Sequence, residues 1–303
     1  MRLIPDAINL DDYIAGPDES GLVRAASDWA DEVVARFHSP ERDFGTPMGW
    51  SKTHDKLRFR PAEVTLWPGI NGHGKSMFTS QVALDLQIAG EPVCMASFEM
   101  KPAATMQRMT RQAFGGAMPD TEFIRQFHNW TDARLWLYDV QGQVKADRVI
   151  ACGRYAATLG VKHFFIDSLM KCVRGEDDYN GQKDFIDRVC SLAKETGMHV
   201  HVVHHVRKMA DETQKPGKFD AKGSGAITDQ VDNVLTVWRN KRKERAREEN
   251  TMTPDQVNEP DCFLICDKQR NGEWEGKFGF WFHPAAMQFM QYGTECDARH
   301  YFD

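Results

Sequence analysis

With 303 residues, 41% of them hydrophobic and 27% charged, the chain has an ordinary globular composition. It is long enough for one large α/β domain with an appendage, or for two small domains. A net charge of −6 excludes a chain coated in basic residues, but not a nucleic acid held by a few loops. No apolar run spans a bilayer and Met1–Asp6 lacks a signal-peptide core, so a cytoplasmic setting without membrane contact is expected. Seven cysteines without a C-x-x-C pair read as reduced, buried thiols, with disulfides or a zinc site as the alternatives.

Residues 1–44 are expected to form an N-terminal segment and 45–303 the main domain. The first 18 or so residues are acidic and turn-rich. After Ser20, a suitable N-cap, Leu22, Ala26, Trp29, Ala30, Val33, Val34 and Phe37 follow helical spacing. This helix has no core of its own and either packs back on its domain or docks on a neighbouring subunit. The stretch Ser39–Trp50, rich in Pro and Gly, predicts a linker. From Leu57 the pattern alternates. Strands are predicted at 64–68, 93–98, 135–139, 163–168, 199–205, 233–239, 262–267 and 277–282. Helices are predicted at 75–88, 103–113, 120–128, 145–158, 183–196 and 225–231. Such alternation implies an α/β fold with a mostly parallel sheet, and the late strands, lacking intervening helices, an antiparallel edge. The charge run Arg239–Glu249 reads as a solvated loop or helical excursion, or as a nucleic-acid patch.

Gly69-Ile70-Asn71-Gly72-His73-Gly74-Lys75-Ser76 reads G-x-x-x-x-G-K-S between a strand and a helix, the context that makes a phosphate-binding loop. Its backbone N–H groups and the positive end of the helix beginning near Met77 converge on phosphate oxygens. Lys75 is expected to reach the β- and γ-phosphates and Ser76 to ligate Mg²⁺, so ATP or a related triphosphate is the expected ligand. Phe164-Phe165-Ile166-Asp167-Ser168 is an apolar strand ending in an acid that would hold Mg²⁺ through water. Met95–Met100 is another strand ending in a carboxylate. Glu99 can reach the γ-phosphate region there and polarise a water, or is a solvated strand-end acid.

His199, His201, His204 and His205 share one strand. A metal cluster lacks a supporting carboxylate pattern, and His205 is the choice for a γ-phosphate sensor at the strand end. Lys222-Gly223-Ser224-Gly225 suits a nucleic-acid phosphate as well as it suits a plain helix start. Lys268 and Arg270, two apart on an extended segment, leave the same face. They would suit a neighbour's triphosphate, or form an ordinary surface pair.

Taken in order, these motifs resemble the RecA-like motor domain of DnaB- and Twinkle-like replicative helicases, over about residues 45–285. The resemblance implies a RecA-like P-loop NTPase core using ATP and Mg²⁺, working as a hexameric ring on single-stranded DNA at a replication fork. It implies Glu99 as catalytic base, Asp167 as Mg²⁺ holder, His205 as sensor, and Lys268 and Arg270 acting on the adjacent subunit's ATP. It further implies Lys222, Gly223, Ser224 and Gly225 as DNA contacts, and places Arg239 near the nucleotide base. The helix at 22–37 is similar to the family's linker helix, which docks on the next subunit.

One departure stands within the motif after Gly225, where the family often has Gln. Here Asp229 stands, with Gln230 next. No primase-type domain precedes the motor in this sequence, so a separate primase or loader is expected. The rival readings are a RecA-like recombination filament and an ATP-dependent DNA-binding switch or loader that does not translocate.

Overall fold

The computed structural model describes residues 2–4, 25–38, 45–175, 177–205, 225–295 and 297–301. The chain opens with β1 (Arg2–Ile4), and a 3-10 turn (Ala26–Trp29) leads into α1 (Ala30–His38). Two short strands, β2 (Thr46–Pro47) and β3 (Arg58–Phe59), pair antiparallel. The alternating body follows with β4 (Val64–Gly69), α2 (Lys75–Ile88), β5 (Val93–Ser97), α3 (Pro102–Phe114) and α4 (Thr121–Trp130). It continues through β6 (Leu135–Tyr138), α5 (Ala146–Thr158), β7 (His163–Asp167), α6 (Tyr179–Thr196) and β8 (His199–His205). The remainder is α7 (Gly225–Gln230), β9 (Asn233–Arg239), α8 (Lys241–Glu248), α9 (Pro254–Asn258), β10 (Cys262–Gln269), β11 (Gly276–His283) and β12 (Gln288–Met290).

Ten strands form one sheet in the order β1-β6-β5-β7-β8-β4-β9-β10-β11-β12. From β1 to β9 every pairing is parallel; β9 to β12 pair antiparallel. The central strands are buried along nearly their whole length because both of their faces are covered. Phe164 and Ile166 join one core with Val149 of α5 and Phe185 and Val189 of α6. Phe165, one residue out of phase, joins the other with Phe78 and Val82 of α2, Met109 of α3 and Phe127 of α4. Close approach on the first face is set by Gly153, where a Cβ would lie 2.5 Å from Leu192 Cδ2.

The expected elements are present with shifted ends, and the linker reading needs correction. Gly45–Trp50 is not a free tether. Met48 and Trp50 are buried, the Trp50 ring packs 4.9 Å from Phe78, and its indole N–H donates to the Phe289 carbonyl at 2.8 Å. The charge run holds a helix, α8, capped by the Asn240 side chain accepting from Lys243 N. Its Lys243 is buried and paired with Asp261 at 3.0 Å, a tertiary contact that composition does not reveal. β1, β12 and the β2–β3 pair were too short to carry a period. Ser20 and Leu22 lie outside the described residues. Among the described residues six cysteines are free thiols, and no helix is long and apolar enough to cross a membrane.

The strand histidines form no metal-binding group among the described residues. His199 and His201 instead meet His163 of β7. His163 Nδ1 and His201 Nε2 are 3.1 Å apart, and His199 bridges the Arg60 carbonyl at 2.6 Å and Thr65 Oγ1 at 2.7 Å. Burial lowers the pKa of all three and of His204, with His199 and His204 at about 4. Below the ordinary value of 6.5 the unfolded chain therefore binds protons that the fold refuses, and stability falls as pH drops towards 4. Two carboxyls act oppositely. Burial raises Asp85 to about 6, eased by Arg299, Tyr301 and Gly49, and burial also raises Asp167, so each favours folding as pH falls. Four imidazoles outweigh two carboxyls, and we expect the thermal midpoint to be about 10 °C lower at pH 5 than at pH 7. A midpoint flat over that interval, read by calorimetry, would mean that the imidazoles are already charged in the fold.

Candidate nucleotide-binding site

β4 lies at the centre of the sheet, between β8 and β9, and delivers its carboxyl end to the loop. Gly72 and Gly74 take φ of 81° and 83°, left-handed values that side chains resist, so the backbone can curl around an anion. Gly69 is needed for space. A Cβ there would lie 2.6 Å from the Val237 carbonyl oxygen of β9. α2 starts at Lys75, and its unpaired N-terminal N–H groups face the loop. The Lys75 ammonium donates to the carbonyls of Gly69 at 2.7 Å and Ile70 at 3.0 Å. Burial lowers its pKa to about 8 against the raising fields of Asp167 and Glu99, which leaves it mostly cationic near neutrality.

Parallel register brings the other groups to the same edge. Ser97 pairs with Asp167, Asp167 with Val203, and Gly69 with His205. Just past β5, Glu99 Oε1 lies 3.3 Å from His205 Nε2, 3.4 Å from Ser168 Oγ and 3.7 Å from Lys171 Nζ. The His205 ring is shifted below its ordinary pKa by burial and by Lys75, opposed by Glu99 and Asp167. Around these groups opens a cleft of about 630 Å³, lined by Asn71, Gly72, Gly74, Lys75, Ser76, Met77, Glu99, Arg108, Lys171 and His205 among others.

The donor set fits a magnesium triphosphate. Asp167 Oδ1 is buried without a hydrogen-bond partner, while the Ser76 hydroxyl bonds to the same carboxylate and offsets part of its burial. An unpaired carboxylate oxygen beside a hydroxyl is hard-oxygen chemistry suited to Mg²⁺ and its waters. Lys75, Arg108 and the loop amides supply the complementary positive field.

The expected residues divide into four groups. Asn71, Gly72, Gly74, Lys75, Ser76, Met77, Glu99 and His205 line one cleft, and Gly69 and Asp167 abut it. His73 is buried, accepts the Arg239 backbone N–H at 3.1 Å on Nδ1, and lines a second cavity of about 300 Å³ with Gly74, Met77, Arg239, Met287 and Phe289. Arg239 pairs there with Glu244 at 2.5 Å. Lys268 and Arg270 do not line the cleft; they lie at the end of β10, bound to the C-terminal end of α7. Lys222, Gly223 and Ser224 lie outside the described residues, and Gly225 begins α7.

Sequence reasoning missed Arg108 and Lys171. Arg108 is half-hidden on α3, where burial lowers its pKa against the field of Asp167, and it donates to Met100 Sδ at 2.8 Å. The available signal was position. α3 follows Glu99 directly, so a cation on its cleft side arrives at the phosphates. Lys171 carried a similar signal, four residues past Asp167 on the turn that leaves β7.

A parallel sheet covered by helices, with this loop and these strand-end acids, defines a P-loop ATPase of RecA-like fold. Residues 55–211 match the family model described as "AAA domain", and the chain belongs to that family. Two solved structures share the architecture. The ATPase domain of G40P superposes with a TM-score of 0.74 at 16% identity, over 89% of this chain and 99% of that one. A DnaB-like replicative helicase, solved for its interactions with primase, gives a TM-score of 0.67 at 16% identity, over 88% and 67%. At such identity the likeness carries the fold.

Proposed function

We propose that the chain is an ATP-dependent DNA helicase motor that moves along single-stranded DNA as a hexameric ring at a replication fork, in the cytoplasm, beside a separate primase or loader. One observation carries the reading. The cleft holds a nearly full set of groups for hydrolysis, yet the paired cations Lys268 and Arg270 stand outside it, which supports their presentation to the cleft of a second subunit. The proteins that share the fold include an ATPase domain, that of G40P, and a DnaB-like replicative helicase, which supports the choice.

In this reading the loop amides and Lys75 hold the β- and γ-phosphate oxygens, and Ser76 and Asp167 hold Mg²⁺, the latter through water. Bound Mg²⁺ neutralises charge on those oxygens. Glu99 takes a proton from the attacking water, and His205, 3.3 Å from it, reads whether the γ-phosphate is present. Arg239 and the second cavity receive the base. Lys222, Gly223, Ser224 and Gly225 hold DNA phosphates.

Ring assembly has a physical basis in α1 and the turn before it, which expose Trp29, Val33, Val34 and Phe37, the last 80% accessible. Between α3 and α4 runs a largely apolar groove of about 830 Å³ lined by Pro102, Ala103, Met106, Met118, Pro119 and Ile124 among others. The exposed apolar residues of a second copy's α1 would match that apolar lining.

The test is native mass with a non-hydrolysable ATP analogue and single-stranded DNA, followed by strand separation. A discrete species near six protomers that unwinds a forked duplex is expected. An open-ended size distribution would indicate a filament, and a persistent monomer a switch.

A further inference from the structure

Lys268 and Arg270 are both engaged within their own chain. The Lys268 ammonium donates to the carbonyls of Thr228 at 2.8 Å, Asp229 at 3.0 Å and Val231 at 2.8 Å. An ammonium has three protons and these contacts use all of them. Arg270 Nη2 donates to the carbonyls of Asp229 at 3.0 Å and Gln230 at 3.3 Å, and its Nη1 pairs with Asp232 Oδ1 at 3.1 Å. Thr228, Asp229 and Gln230 carry carbonyls that the end of α7 leaves without intrahelical partners, at the negative end of the helix, and Val231 follows it directly. The far side is also tied. Asp232 Oδ2 accepts the Val64 N–H at 2.9 Å, and Asp232 N donates to the Val64 carbonyl at 3.0 Å, at the start of the strand that carries the phosphate loop.

We propose that Lys268 and Arg270 alternate between two engagements. In one they cap the end of α7; in the other they leave those carbonyls for the triphosphate oxygens of the adjacent subunit. A saturated ammonium cannot do both. The inference rests on the motor reading above and deepens it: arrival of a triphosphate next door uncaps the helix that the DNA-contact residues lead into. Lys268 and Arg270 are thus positioning residues for α7 as well as partners of the neighbour's phosphate. Asp232 keeps the chain between α7 and β9 fixed to β4 while α7 is released.

The experiment is hydrogen exchange, read by mass spectrometry, on the full-length wild type and on Lys268→Met and Asp232→Asn. Each is measured with and without a non-hydrolysable ATP analogue and Mg²⁺, with slowed exchange at the start of α2 reporting that the analogue has bound. Without nucleotide, K268M should exchange the 225–232 amides about ten-fold faster than wild type, the effect of one lost charge-assisted cap. The analogue should speed the wild-type segment by a similar factor and add nothing in K268M. D232N, which retains both cations and frees Arg270, should give a smaller acceleration, and it decides the matter if K268M does not fold. Wild-type rates in both variants, or a wild-type segment that ignores the bound analogue, overturn the alternation. DNA-stimulated hydrolysis by the wild type separates the two ideas. If it is present while the segment stays unmoved, only the alternation fails; if it is absent, both fall.

Discussion

Glu99→Gln will bind ATP and DNA while turning over about 10²–10⁴-fold more slowly than the wild type, the usual loss on removing a positioned base. Glutamine keeps the size and can still meet Ser168 and His205, so the loop and the Lys75 contacts stay in place. It cannot accept a proton from water. Steady-state phosphate release and binding of a fluorescent ATP analogue, measured on the same preparation, separate the two effects. Near-normal turnover would remove Glu99 from the chemistry and turn attention to the other acid in reach, Asp167. A loss of binding equal to the loss of rate would make Glu99 a scaffold for the loop.

The second large effect is expected at a residue that does not line its own cleft. Arg270→Ala should lower DNA-stimulated hydrolysis by about 10³–10⁵-fold, the range for an arginine supplied from a neighbour, with nucleotide affinity nearly unchanged. Because Arg270 also bonds to Asp232 and to α7, a loss of rate alone would not place it in trans. Mixing does. Subunits carrying Arg270→Ala retain Lys75, and subunits carrying Lys75→Ala retain Arg270, so a mixed assembly rebuilds complete sites and recovers activity that neither variant has alone. Failure of the mixture, with both variants assembling normally, would return Arg270 to a structural role within its own subunit.

The helix–strand alternation and the phosphate loop were legible because they are local. Buried parallel strands write themselves as apolar runs, and a loop that cradles phosphate needs glycines at fixed steps. Asp167, Glu99 and His205 followed from one topological rule, that ligands gather at carboxyl ends of parallel strands. What stayed hidden depends on contacts distant in sequence. Trp50 sits in a stretch with the composition of a linker, and only Phe78, Phe280 and the Phe289 carbonyl make it core. Lys243 belongs to a run of charges and is buried because Asp261 lies opposite. What buries His199 and His201 of β8 is a partner far away in sequence, His163, which forms the third member of their cluster. Arg108 lay on a helix expected at 103–113 and Lys171 on a turn that no local pattern assigned, and helical or turn phase within a few residues decides which side chain enters a cleft.

Strand β4 pairs on one side with β8 and on the other with β9, segments that begin well over a hundred residues later in the chain. Such pairings are of high contact order, and the entropy of closing the intervening chain comes before any contact rewards it. On the ribosome this sets a sequence of events. The glycine loop is made early, yet its strand has no flank until the chain through His205 has left the exit tunnel, and lacks the second until the chain through Arg239 has done so. An incomplete nascent chain thus carries a phosphate-loop sequence without a phosphate site. Its long apolar segments must stay apart from one another and from other chains until the two missing neighbours arrive.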